Sequence, residues 1–232
     1  MSLENQSNIV DKVILGRKSV RAFLPTPISE KTIVEILKVA SRAPSGSNTQ
    51  PWRVYVLQGA IKEKLSNTIK EVASDPIQNA LHRPEYIYYP KNWTEPFISR
   101  RRKVGIDLYK LLGIAREDTK KMQTQHFRNY DFFDAPVALV CTIPRIMEQG
   151  SWLDYGMFIQ NILIAAGGRG IQTCPQAAFI SYHQIVQDVV GFPSEEQLVC
   201  CIAMGYEDTS KIENTLTTER VPVDDFVSFV RE

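Results

Sequence analysis

The sequence predicts an α+β chain of the three-layer α/β/α type, in which helices flank a central sheet on both sides. Three observations carry that prediction. The runs RVYVLQ, APVALVCTI and QLVCCIAMGY have the length and β-branched content of strands. Segments with apolar residues at helical spacing lie between them. The order of these elements lacks the regular strand-helix alternation of a doubly wound sheet. The 232 residues suffice for one hydrophobic core. We therefore expect a single unit over 1–232, with an excursion at about 76–134 and an extended arm at about 207–232.

In chain order, Ile9, Val13 and Ile14 mark a first helix, capped by Ser7 or Asn8 and ending near Gly16 or Arg17. A second begins at Ser29, whose hydroxyl accepts from the free amides of the first turn, with Ile28 and Ile33 in staple positions. Its stripe is Ile33, Ile36, Leu37 and Ala40, and Pro44 and Gly46 stop it. RVYVLQ alternates as a strand covered in part on both faces. A helix with Ile61, Leu65, Ile69 and Val72 on one side follows. The excursion is rich in Tyr, Trp, Pro and basic residues and turns helical around RRKVGIDLYKLLG. APVALVCTI tolerates Pro136 at its start. SWLDYGMFIQNILIAAGGRG is an apolar helix for the centre of the fold or a subunit interface. Ser181 and Gln184 have capping-box spacing ahead of Ile185 and Val189, and QLVCCIAMGY is a third buried strand. The sparse tail ends in a few large apolar anchors.

Composition narrows the function classes. A formal charge of +1 gives no reason to expect nucleic acid or an acidic membrane, although eleven Lys or Arg stand against five Asp or Glu between His82 and Tyr130. No apolar run reaches the length of a membrane span, and MSLENQSN lacks the layout of a secretion signal. Cys141, Cys174, Cys200 and Cys201 have no paired metal spacing, and a reducing, cytosolic setting is expected; Cys141, Cys200 and Cys201 lie inside apolar runs and are expected as buried thiols. His82, His126 and His183 form no ligand doublet, and no metal centre is expected. Dinucleotide, P-loop and serine-hydrolase signatures are absent.

What remains is a set of polar islands bordering core elements. GRKSVRAF offers Arg17, Lys18, Ser19 and Arg21, donors enough for a phosphate and a polar chain attached to it. APSGSNTQPW adds hydroxyl and amide groups. GGRGIQTCPQAAF lets backbone approach something flat, and Arg220 lies in the tail. Singly, each reads equally as a helix end, a turn, a crossover or a surface arginine. Together they suit a large polar cofactor bound without a nucleotide motif.

In order and separation these islands resemble the FMN-dependent nitroreductase family over nearly the whole chain. RKSVRAF is similar to its basic-Ser-x-Arg signature and PSGSNTQPW to its Pro-Ser-Ser-x-Asn-x-Gln-Pro-Trp block. DYGMFIQNILIAAGGRGIQTCPQAAF resembles its central helix and loop, and TERVPVDDFV its closing arm. The resemblance implies a mixed, mainly antiparallel sheet and a homodimer that holds FMN at its interface and exchanges the C-terminal arm. Arg17, Lys18, Ser19 and Arg220 would serve the phosphate and ribityl chain, and Arg21 the N1 and O2 edge of the flavin ring. Pro175, Gln176, Ala177 and Ala178 would direct amides at N5 and O4. Pro44, Ser45, Ser47 and Asn48, joined by Gln50, would come from the partner. Trp52 is equally a packing residue. Asn161 either orients the 175–178 loop or satisfies nearby backbone.

One departure is Thr218, where better-known bacterial members carry lysine. Tyr86, Tyr88, Tyr89, Trp93 and Phe127 are candidates for an aromatic roof over the substrate side, or else lid surface. Arg100, Arg101 and Arg102 are candidates to attract a carboxylated acceptor or the phosphate of NADPH, with Arg101 the position to test. The implied activity is ping-pong reduction of nitroaromatics, quinones or similar flat acceptors by NADH or NADPH, with no protein nucleophile. The alternatives are a flavin-dependent dehalogenase or dehydrogenase of one metabolite, and a non-catalytic flavin-binding module.

Overall fold

The computed structural model describes residues 3–231. In chain order these form α1 (Leu3–Gly16), α2 (Glu30–Ala40), β1 (Arg53–Gln58), α3 (Ala60–Ser74), α4 (Pro76–Asn79), α5 (Phe97–Leu111), α6 (Thr119–Phe127), β2 (Val137–Pro144), α7 (Gln149–Gly167), β3 (Gln172–Gln176), α8 (His183–Val190) and β4 (Glu196–Gly205). The sheet runs β1-β2-β4-β3 with every ladder antiparallel. Its parallel component is the bridge between Ser19 and Thr173.

Strand alternation divides the core in two. Ala138 and Val140 of β2 and Leu198, Cys201 and Ala203 of β4 face Leu65 and Ile69 of α3 and Val186 of α8. Leu139, Cys141 and Ile143, with Val199, Cys200, Ile202 and Met204, face Ile33 and Ile36 of α2 and Tyr155, Phe158 and Ile162 of α7. This is the expected helix-sheet-helix layering. The alternation breaks once: Cys141 pairs with Cys200 and Thr142 with Leu198, so Val199 is the extra residue of a β-bulge. All four cysteines are buried free thiols.

Ser29 caps α2 as its spacing predicts, accepting from the Thr32 amide. Other expectations need correction. α1 starts at Leu3, so Ser7 is helical and its hydroxyl bonds back to Glu4 O at 2.9 Å. The α1 stripe stays largely uncovered, with Ile9 and Ile14 about half exposed. β3 is a fourth strand inside what reads as loop; it is an edge strand, where Pro175 costs no interior ladder bond. Ser181 makes no capping box, because it lies in a 3-10 turn, Ala178–Tyr182, and Tyr182 precedes α8 without a side-chain cap. Of the two readings of Asn161, the backbone one holds: it donates to Ala40 O at 3.3 Å, fixing α7 to the end of α2. β1 is covered in part on both faces, as expected, with Leu57 buried and Val56 exposed.

Within the excursion, α6 was not legible as a helix. Phe132, Phe133 and Asp134, three successive residues with φ between 53° and 68°, close it. Such backbone persists only where packing over-determines it. Here Phe132 is wholly buried and stacks on Phe179 at 4.6 Å.

Candidate functional site

Residues 17–23 leave α1 extended alongside β3. The Val20 amide donates to Thr173 O at 3.2 Å, and Phe23 bridges Glu207. Extended chain sends alternate side chains to opposite sides. Val20 and Ala22 enter the core, whereas Ser19 and Arg21 line an open cleft of about 860 Å³. The same parity explains Lys18. It sits on the other side and pairs with Glu207 Oε1 and Asn214 O, both at 2.7 Å, away from the cleft.

The end of β3 supplies the facing wall. Cys174, Pro175, Gln176, Ala177 and Ala178 all line the cleft. Burial pushes the Cys174 thiol up to about 11, partly opposed by Arg21, Ser19 and Arg17, so it stays protonated at neutral pH. Ala178 opens the 3-10 turn, whose first amides have no partner inside that turn. Gln176 is buried; its Nε2 donates to Asn129 O at 2.8 Å, which fixes the amide's orientation and leaves Oε1 buried without a partner.

The roof comes from the excursion, and the bulge of β4 is its post. Glu85 Oε2 accepts from the Leu198 amide at 3.1 Å, and Tyr86 donates its hydroxyl to Val199 O at 2.6 Å. Val199 is the bulged residue, so the lid takes up a carbonyl that regular pairing would use. Arg145 donates to Glu85 Oε1, and the Tyr86 ring meets Trp152 edge-on at 4.7 Å. Burial raises the Tyr86 pKa, keeping this hydroxyl a donor. Tyr88, Tyr89 and Arg101 then line the cleft. Replacing Glu85 by Ala should strand the Leu198 amide and free the lid, with a stability cost of about 2–3 kcal/mol. Faster proteolysis within 86–95 and lost exchange protection at Leu198 would show it; unchanged rates at both would mean that Tyr86 alone holds the strap.

The expected residues do not all meet. Ser19, Arg21, Pro175, Gln176, Ala177, Ala178, Tyr86, Tyr88, Tyr89 and Arg101 share the cleft. Trp93 stands behind it, 5.4 Å from Tyr89, and Phe127 packs on the core beside Tyr130, not in the roof. Arg17 is half-buried outside the lining. Arg220 folds back on Thr218 and Glu219. Pro44, Ser45, Ser47, Asn48 and Gln50 lie elsewhere, in a turn with three non-glycine residues at φ of 49–58°. That turn is tied internally by the Gln50 amide to Ser45 Oγ at 3.0 Å and to α7 by the Gly46 amide to Asp154 Oδ2 at 3.0 Å. Trp52 stacks on Phe158 at 4.7 Å and is a packing residue.

Sequence reasoning missed Arg83, His126, Asn129 and Tyr130 in the cleft wall, and Asp154 and Asn214 as supports. Only the local excess of basic residues pointed toward Arg83. His126 has its pKa lowered by burial, so its ring is neutral at neutral pH, 3.3 Å from the Tyr130 hydroxyl.

The sequence model of the nitroreductase family matches residues 14–206. The chain belongs to the nitroreductase family. At that level it is a nitroreductase-type oxidoreductase, and its sheet and flanking helices are the nitroreductase-like fold. It is 38% identical over 221 residues to the 4-nitrobenzoate reductase of Nocardioides sp. (strain LMS-CY), covering 95% of this chain and 89% of that one. It is 35% identical to the chloronitrobenzene nitroreductase of Comamonas testosteroni, covering 97% and 99%. Among solved structures, the FMN and NADPH-dependent nitroreductase NfnB of Sphigopyxis sp. strain HMH superposes with a TM-score of 0.91 at 32% identity, covering 96% of this chain and 99% of that one. In this chain β3, residues 17–23 and the lid converge on one cleft.

Proposed function

We propose that the protein is an FMN-dependent oxidoreductase that uses NADH or NADPH to reduce nitroaromatics, quinones or similar flat acceptors by a ping-pong cycle. The observation that carries this is the meeting of Ser19 and Arg21 with Pro175–Ala178 in one cleft whose lining, among the described residues, holds no carboxylate. The relatives' names supply the cofactor and the nitroarene class.

The residues present fit FMN. The unpartnered Gln176 Oε1 is an acceptor for a ring N–H. The first amides of the 178–182 turn are donors without partners inside that turn. The Arg21 guanidinium spends one contact on Ser19 O, at 3.2 Å, and keeps its other donors. Bound FMN supplies hydride acceptance and delivery. Arg21 would hold positive charge where the ring edge becomes anionic, and Ser19 and Arg17 would meet the phosphate and ribityl chain. Lys18 enters that set only by leaving Glu207. The strapped lid would limit water, and nicotinamide and acceptor would take turns in the same space. No lining residue is needed as a nucleophile.

The cleft is completed, in this reading, by a second copy in a homodimer. Pro44, Ser45, Ser47, Asn48 and Gln50 would cover the partner's flavin, and the arm carrying Arg220 would cross to it. Uncovered apolar residues on α1 and the arm support this; Leu15, Phe229 and Val230 are 84%, 78% and 94% exposed. Purified protein should take up FMN, sediment as a dimer and be reduced anaerobically by a nicotinamide dinucleotide. Failure to take up FMN would overturn the reading. Uptake without reduction by either dinucleotide would favour a non-catalytic flavin module.

A further inference from the structure

Among the described residues three guanidinium groups, those of Arg21, Arg83 and Arg101, line the cleft and no Asp or Glu does. Arg21 belongs to the β3 side. The other two stand on the lid, and among the described residues neither makes an ion pair. The neighbours of Arg101 on α5 are engaged differently: Lys103 pairs with Asp107 at 2.7 Å and Glu219 at 3.4 Å, and Arg100 stacks on Phe97 outside the cleft.

Arg101 alone on that helix faces the cleft. Its guanidinium lies 5.3 Å from the Tyr89 ring centroid and 4.9 Å from that of Trp93. Such cation–π contacts engage the charge without consuming its N–H donors, whose fork meets a carboxylate with two parallel hydrogen bonds. Beside it, Tyr88 and Tyr89 give the same wall an aromatic surface.

We propose that Arg101 is a specificity-determining residue that anchors the carboxylate of an aromatic acid acceptor, with Arg83 adding to the field. This rests on the oxidoreductase reading and names its substrate class. A cation set against two aromatic rings at a cleft with no acid partner among the described residues gains most from an anion that carries its own flat ring. The Arg101→Lys change keeps the charge and loses the planar fork, so it separates steering from bidentate binding.

The test uses full-length protein reconstituted with FMN, as wild type, Arg101→Gln and Arg101→Lys. The acceptors are 4-nitrobenzoate and nitrobenzene, each with NADH and with NADPH. In Arg101→Gln, kcat/KM for 4-nitrobenzoate should fall about tenfold more than for nitrobenzene, mainly through KM, with partial recovery in Arg101→Lys. Benzoate titrated against Trp fluorescence, which Trp93 beside Arg101 would report, should show the same weakening without turnover. Equal losses for both acceptors would overturn the proposal. So would a loss confined to NADPH, which would assign the anion to the dinucleotide's phosphate. If the wild type reduces neither acceptor, the oxidoreductase reading fails, and benzoate binding alone decides the role of Arg101.

Discussion

Replacing Arg21 by Met should leave a folded protein whose FMN affinity is about 10- to 100-fold weaker and whose bound flavin is harder to reduce. The scale follows from losing one charge-assisted contact, roughly 1.5–3 kcal/mol. Folding should survive because what Arg21 gives the fold comes from its backbone, whose amide donates to Asn214 Oδ1 at 2.8 Å, and Met keeps that amide. The sign of the potential shift is fixed by charge. Reduction places negative charge on the ring, a nearby cation stabilises that form, and its removal must lower the potential. FMN titration by fluorescence quenching and a reductive titration against a reference dye would measure the two effects separately. Unchanged affinity together with an unchanged potential would remove Arg21 from the flavin site.

The layered fold was legible wherever local chemistry and tertiary packing agree. Ser29 caps α2 because its hydroxyl has only the first-turn amides to serve. The β2 and β4 runs are mostly apolar because each lies inside the sheet with helices on both faces. β3 was illegible because its five residues include Pro175 and follow a glycine-rich turn. The signals that end a central strand are tolerated at an edge.

Missing β3 had a consequence at the site. Once residues 17–23 are seen to run extended beside it, period two assigns Arg17, Ser19 and Arg21 to one side and Lys18 to the other. Without that strand, four polar residues in a row look equivalent. The lid's attachment was illegible for a different reason. A bulge depends on the register between β2 and β4, which no local pattern records, so Glu85 and Tyr86 gave no sign of docking at Leu198 and Val199.

Asn214→Ala should destabilise the protein by about 2–4 kcal/mol and weaken FMN binding, although this residue lies outside the lining of the cleft. Asn214 is 3% exposed and sits where the tail, returning from β4, crosses residues 18–24. Its Oδ1 accepts the Arg21 amide at 2.8 Å, and its Nδ2 donates to Ala22 O and Asp208 O, both at 2.9 Å. Ala22 O also accepts from the Asp208 amide and Asp208 O from the Lys211 amide, so those carbonyls keep a partner in the variant. The Arg21 amide does not, and an unmet donor at a part-buried position costs more than the average hydrogen bond contributes. Asn214→Asp separates the two halves of the side chain: it retains the acceptor for Arg21 but sets a carboxylate against two carbonyl oxygens, so it too should destabilise. Denaturant midpoints measure the stability change, and exchange at the Arg21 amide reports the local one. An Arg21 amide that exchanges as slowly in Asn214→Ala as in wild type would show that β3, through Ser19 and Val20, is enough to hold the arginine in place.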